Sequence, residues 1–164
     1  MTKRLDPLDT RIVAQLSEDG LLAAGEVAKR LGVTAPTVRS RIKAMLASGL
    51  LRIAALVDPA RHKGLTLALV GLNIQNHSKL QQKLDEISAL NRVNWAAIVT
   101  GRYDILVEVV LTDGMDDLYR FIDEDLSGVG DITASESFVV MKANRKWINL
   151  PPGARSVVGE QEEA

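Results

Sequence analysis

Ala23-Ala24-Gly25-Glu26-Val27-Ala28-Lys29-Arg30-Leu31-Gly32-Val33-Thr34-Ala35-Pro36-Thr37-Val38-Arg39-Ser40-Arg41-Ile42-Lys43 reads as two short helices joined by a tight turn. Val27, Ala28 and Leu31 form one apolar stripe at helical spacing, and Val38, Ile42, Met45 and Leu46 form a second. Between them Gly32 ends the first helix, Val33 fills the corner and Thr34 caps the second. A threonine at the N-cap accepts from the orphan amides of the first turn. This is the pattern of a helix-turn-helix, a motif whose second helix enters the major groove. It implies double-stranded DNA as a partner.

The charge distribution agrees. The net charge of −1 conceals 11 Lys/Arg against 6 Asp/Glu over residues 1–63, and 9 against 15 over residues 64–164. A basic half joined to an acidic half suggests a polyanion-binding module attached to something else. The 164 residues, 46% apolar and 25% charged, suffice for one ordinary domain or two small ones. There is no cysteine, which removes disulfides, thiolate chemistry and Cys-based zinc sites. No apolar run approaches the roughly 20 residues that cross a bilayer. Lys3 and Arg4 have no apolar core behind them, so no signal peptide is expected. These features predict a cytoplasmic protein with no membrane partner.

Ahead of the motif, Leu8, Ile12, Val13 and Leu16 share one face of a helix predicted over residues 7–17. Asp6 is its N-cap, Pro7 takes the first helical position, where its missing N–H costs nothing, and Glu18-Asp19-Gly20 ends it. The motif helices are predicted over 25–31 and 35–47. Leu50 to Val57 then reads as extended, like the wing of a winged helix or a hinge strand, before Asp58-Pro59 breaks it. Beyond residue 64 the order is strand–helix–strand–strand–helix–strand. The strands are predicted at 67–74, 93–100, 103–111 and 132–141, and the helices at 77–89 and 113–126. That order is the ferredoxin-like split βαβ. The fold class is therefore α+β, with a DNA-binding domain over 1–50, a hinge and linker over 51–64, a βαββαβ domain over 65–147 and a flexible tail over 148–164.

In Leu67-Ala68-Leu69-Val70 and Ile105-Leu106-Val107 both alternating sets of side chains are apolar. A half-exposed antiparallel sheet should have one polar set. Burial of the outer face against a second copy accounts for this, and a symmetric homodimer would read two half-sites of a palindromic operator.

Four pieces in this order resemble the Lrp/AsnC family of bacterial and archaeal regulators. They are Leu5-Asp6-x-x-Asp9-x-x-Ile12-Val13-x-x-Leu16, Val33-Thr34-x-x-Thr37-Val38-x-x-Arg41-Ile42, Thr100-Gly101-Arg102-Tyr103-Asp104-Ile105-Leu106 and Phe138-Val139-Val140-Met141. The likeness spans about residues 5–147. It implies a winged helix-turn-helix followed by an ACT-like (RAM) regulatory domain. It also implies dimers that associate further, often to octamers, and a small effector, typically an amino acid, held between regulatory domains.

On the second motif helix the candidate DNA contacts are Thr34, Pro36, Thr37, Arg39, Ser40, Arg41 and Lys43. Arginine can bridge guanine O6 and N7, and lysine suits phosphate as a point charge. Arg39 is the candidate for sequence readout, while Arg41 matches the arginine usual in the family. The alternative is a solvated amphipathic face.

Thr100, Gly101, Arg102, Tyr103 and Asp104 form the candidate effector loop. Asp104 is suited to a ligand ammonium, and a glycine turn lets backbone amides approach a carboxylate closely; the alternative is that Gly101 serves a tight hairpin and Asp104 orders that turn. Ile98, Met115, Phe138, Val139 and Val140 match family positions linked to effector response, with ordinary core packing as the alternative. An extra cation at Arg102 would favour acidic ligands; the alternative is a simply solvated side chain.

His62, in the connector, and His77, expected to cap a helix, have no neighbouring ligand-type residues, so no metal, cofactor or catalytic residue is expected. Asp116, Asp117, Asp123, Glu124 and Asp125 read as a solvated helix face. Trp95 is expected in the core or the dimer sheet, and Trp147 across subunits.

The expected function is sequence-specific transcriptional regulation gated by an amino acid. One alternative is a ligand-independent organiser of nucleoid DNA. Another is an enzyme like the siroheme decarboxylases, which share the architecture. The latter need cationic or imidazole groups converging on a porphyrin, and this regulatory domain offers only His77 and no Arg-Arg pair in its first strand.

Overall fold

The computed structural model describes residues 5–155. They fall into two compact units, Met1–Ala54 and Ala55–Ala164.

The first unit is three helices, α1 (Pro7–Glu18), α2 (Ala24–Leu31) and α3 (Ala35–Ala47). Each boundary has a local cause. The Asp6 carboxylate accepts from the Asp9 amide at 2.8 Å, and Pro7 follows it in the first turn. Gly32 closes α2 at φ +68°, a left-handed conformation that a Cβ disfavours. Thr34 caps α3 by accepting from the Thr37 amide. Ile12, Leu16, Val27, Ala28, Val38 and Met45 form the core of this unit. Each fully buried aliphatic contributes about 1.5–3 kcal/mol. The stretch from Leu50 to Leu56 joins no strand. Its hinge-strand character is limited to one antiparallel bridge between Val57 and Ile148 in the second unit.

The second unit is an antiparallel sheet in the order β2-β3-β1-β4, built from β1 (Thr66–Ile74), β2 (Val93–Ile98), β3 (Ile105–Leu111) and β4 (Ile132–Val139). Helix α4 (Leu80–Ser88) connects β1 to β2. The second crossover is α5 (Gly114–Arg120), a π-turn at Phe121–Asp125, and α6 (Leu126–Val129). Ala68, Val70, Leu72 and Ile74 of β1 and Ile105, Val107, Val109 and Leu111 of β3 pack with Ile87, Leu118, Phe121 and Leu126. The register sets Leu69 against Phe138 and Glu108, and Gly71 against Leu106 and Glu136. These pairs and Trp95 occupy the opposite face. Trp95 and Phe138 remain exposed there in the single chain.

Three expectations shift. The expected linker over 51–64 is divided, because Pro59–Arg61 forms a turn of 3-10 helix in the second unit and Pro59 is buried. Residues 148–155 are not a loose tail. Ile148 exchanges two 2.9 Å backbone hydrogen bonds with Val57, and the Gly153 amide donates to the Asn91 carbonyl at 2.9 Å. Ile148 and Ala154 are buried with Leu65, Leu67 and Val110. Residues 156–164 of the expected tail lie outside the described residues. Finally, Asp117 is not on a solvated face. It is 3% exposed and accepts from the amides of Thr112 and Asp113 and from the Thr112 hydroxyl. Asp116, Asp123 and Glu124 are exposed as expected.

Candidate nucleic-acid interface and effector loop

Helix α3 presents Pro36, Arg39, Ser40 and Lys43 to solvent. Arg39 and Lys43 take part in no ion pair among the described residues. Thr34 is exposed at the helix start, and its hydroxyl lies 2.8 Å from that of the half-buried Thr37. The Thr34 hydroxyl is thereby committed to the cap. Arg39, Ser40 and Lys43 follow one another at helical spacing, so a single exposed strip carries a forked donor, a hydroxyl and a point charge.

Arg41 is placed differently from the expectation that it contacts DNA. Its guanidinium pairs with Asp6, the cap of α1, and lies 3.4 Å from Asp9. The Asp9 amide and Arg41 together hold the Asp6 carboxyl below its ordinary range, against the opposing effect of desolvation. The hydrogen bond and charge of Asp6 in turn raise the Arg41 value. Arg41 therefore ties α3 to α1.

The loop Thr100–Asp104 lies between β2 and β3 and is closed by the Val99 amide donating to the Asp104 carbonyl at 3.0 Å. Gly101 holds φ +119° there. Asp104 is engaged on both oxygens. Oδ2 accepts from the Ile74 amide at 2.8 Å, and Oδ1 lies 3.2 Å from His77 Nε2. The Ile74 amide and the charge of His77 hold the Asp104 carboxyl low against the effect of burial. The helical start is capped by Asn76, which accepts from the Ser78 amide, so His77 faces Asp104 and does not cap.

Tyr103 lies over Gly71. A Cβ added at Gly71 would come within 2.5 Å of the ring, which explains a glycine inside a central strand. The Tyr103 hydroxyl donates to the Glu136 carboxylate, which pushes the phenol pKa up. The Arg102 guanidinium sits 2.9 Å from Glu136 and 5.5 Å from the Tyr103 ring centre. Phe138 meets that ring edge-on at 6.4 Å. Arg102, Tyr103, Glu136 and Phe138 thus form one cluster, with an exposed cation, a carboxylate and two aromatic walls.

Glu136 was not among the residues expected from sequence. It lies in Ser135-Glu136-Ser137, which looks like a solvated strand edge, and only the β1–β4 register brings it beside Tyr103. Other expected residues disperse. Met115, 62% exposed, lies in the first turn of α5 beyond the Leu111 end of β3. Val140 lines a separate cavity at that end of the sheet. Val139 packs against the main core. Ile98 pairs with Ile105 beside the loop, and Thr100 is exposed.

A family model described as the AsnC-type helix-turn-helix domain matches residues 5–46, and one described as the Lrp/AsnC ligand binding domain matches residues 67–146. The chain is 32% identical over 144 residues to an uncharacterized HTH-type transcriptional regulator of Pyrococcus furiosus, covering 87% of this chain and 95% of that relative. The fold is similar to that of Escherichia coli AsnC, with a TM-score of 0.70 at 23% identity, covering 86% of this chain and 95% of the other. It is also similar to a Neisseria meningitidis transcriptional regulator solved as an L-Met complex. That TM-score is 0.71 at 22% identity, covering 94% and 99% of the two chains.

Proposed function

Because the chain belongs to the Lrp/AsnC family of transcriptional regulators, we propose that it binds operator DNA sequence-specifically through α3, in a manner modulated by an amino acid. The exposed strip of Arg39, Ser40 and Lys43 on α3 carries the DNA reading. Arg39 is the base reader, Lys43 a phosphate contact, and Thr34, Pro36 and Thr37 abut the backbone at the helix start. The protein acts as a regulator rather than an enzyme, in the cytoplasm where its DNA lies. It acts as a dimer through the outer sheet face, and dimers associate further.

The effector reading rests on the cluster around Tyr103. An amino acid offers an ammonium, a carboxylate and a side chain. Glu136 is suited to the ammonium, Arg102 to the carboxylate, and Tyr103 with Phe138 to an apolar side chain. Asp104, with both oxygens occupied, positions the loop instead. The L-Met complex of the Neisseria relative supports an amino acid as the chemical class.

Fluorescence anisotropy against labelled DNA at several salt concentrations tests the first half. Neutralised phosphates release counterions, so affinity falls steeply and linearly on a log–log plot. Lys43→Ala should flatten that slope by about one unit. A thermal-shift screen of the twenty amino acids tests the second half. A ligand specific for the folded state adds about 2.7 kcal/mol at a hundredfold excess over its Kd, and Arg102→Ala should abolish the shift. DNA affinity indifferent to sequence and to every amino acid would favour the DNA-organiser reading.

A further inference from the structure

A cavity of about 340 Å³ lies at the other end of the sheet from the Tyr103 cluster, lined by Pro59, His62, Lys63, Val140, Lys142 and Lys146 among others. Leu67, which also lines it, pairs with Val110, whereas Leu72 pairs with Ile105 beside the effector loop. Five residues of β1, about 17 Å of strand, separate the two places.

Both ring nitrogens of His62 are enclosed and have no hydrogen-bond partner among the described residues. A neutral imidazole always carries one N–H donor and one bare acceptor, and enclosing such groups without partners costs stability. A group in the cavity that accepts a hydrogen bond would relieve the donor half of that cost. The charges around it are mainly cationic. Lys63 and Lys142 are exposed and have no carboxylate partner among the described residues. Lys146 is partly offset by Glu108. The carboxylate in the wall, Asp58, is already committed: it caps Ala60 at 3.0 Å and pairs with Arg61 at 3.3 Å. Thr66 adds a hydroxyl to the lining, and Pro59, Leu65, Leu67 and Val140 add apolar surface.

We propose that this cavity binds a small organic anion. Its carboxylate or phosphate head accepts the His62 N–H between Lys63 and Lys142, and its short apolar body lies against Pro59 and Val140. The volume is at the lower end of small-molecule sites and suits a metabolite of amino-acid size. The site is independent of the effector reading at Tyr103.

The test titrates the full-length protein with isovalerate and, separately, with inorganic phosphate. Calorimetry measures binding, and nitrogen-15 spectra report on the histidine rings. The chain has two histidines, so His77→Gln leaves His62 as the sole ring signal. Saturable binding of one anion, with the His62 ring nitrogens shifting, is expected. Isovalerate as the tighter ligand identifies a carboxylate head, and phosphate as the tighter ligand a phosphate head. The exposed pair Lys63→Glu/Lys142→Glu should weaken binding by at least about tenfold, and Arg102→Ala should leave it unchanged. The proposal is overturned if neither anion moves the His62 ring, if the shift survives reversal of both lysines, or if Arg102→Ala removes it.

Discussion

At about 100° per residue, Arg41 stands on the same side of α3 as Val38 and Met45, and Arg39 stands on the other. The spacing of 38, 41 and 45 was present in the sequence. Both arginines nevertheless looked like groove contacts, because the partner that claims Arg41 is Asp6, 35 residues away. Two predictions follow from the split. Arg41→Ala should lower the melting temperature, whereas Arg39→Ala should leave it unchanged. In DNA binding, Arg39→Ala should cost about 1–3 kcal/mol of discrimination at the base it reads, measured by competition between cognate and altered duplexes. Gly71 offers a second test at this scale. Gly71→Ala sets a methyl against the Tyr103 ring, and overpacking of this kind costs about 1–3 kcal/mol in urea denaturation. Tyr103→Ala in the same background should recover most of that loss, since the two residues are coupled. An additive double mutant would mean that the ring does not rest on the strand.

Among the elements, the helices of the first unit were legible to within a residue, because cap, stripe and glycine stop agreed with one another. The ends of the second unit were not. Asp117 looked like one of a run of exposed carboxylates, yet it ties the β3–α5 turn to Arg92. Burial pushes its carboxyl up, but the Thr112 amide and hydroxyl and the Arg92 guanidinium prevail and hold it below its ordinary value. A depressed carboxyl binds protons more readily in the unfolded chain, so its contribution is present above the unfolded pKa of about 3.9 and is lost as pH falls through the folded value. Asp117→Asn should therefore flatten the acid limb of the stability–pH curve below about pH 5, measured by chemical denaturation. The segment from Ile148 was equally hard to read. Its Pro-Pro-Gly composition suggests a loose tail, and only the bridge to Val57 reveals a docked one. Ile148→Ala should destabilise the protein by about 2–5 kcal/mol, whereas a loose tail would show no change.

For the whole molecule, the two apolar sets of β1 and β3 divide between the core and the outer sheet face, and the second copy inferred to cover that outer face is a proposal. Leu69, Leu106, Trp95 and Phe138 occupy it, and Trp95 and Phe138 are still exposed in the single chain. The Tyr103–Glu136 cluster was hidden, because its members come from a loop and a strand whose register no local pattern encodes. The proposed dimer would carry two copies of α3, so its operator should be two-fold symmetric. In vitro selection of bound duplexes from a random pool, with the full-length protein and its Arg39→Ala variant, measures that claim most directly. The full-length protein should enrich a palindrome with two half-sites about one or more helical turns apart, and its preferred bases should relax in the variant. A pool that emerges unenriched, an enriched site without two-fold symmetry, or one identical for both proteins would overturn the proposal.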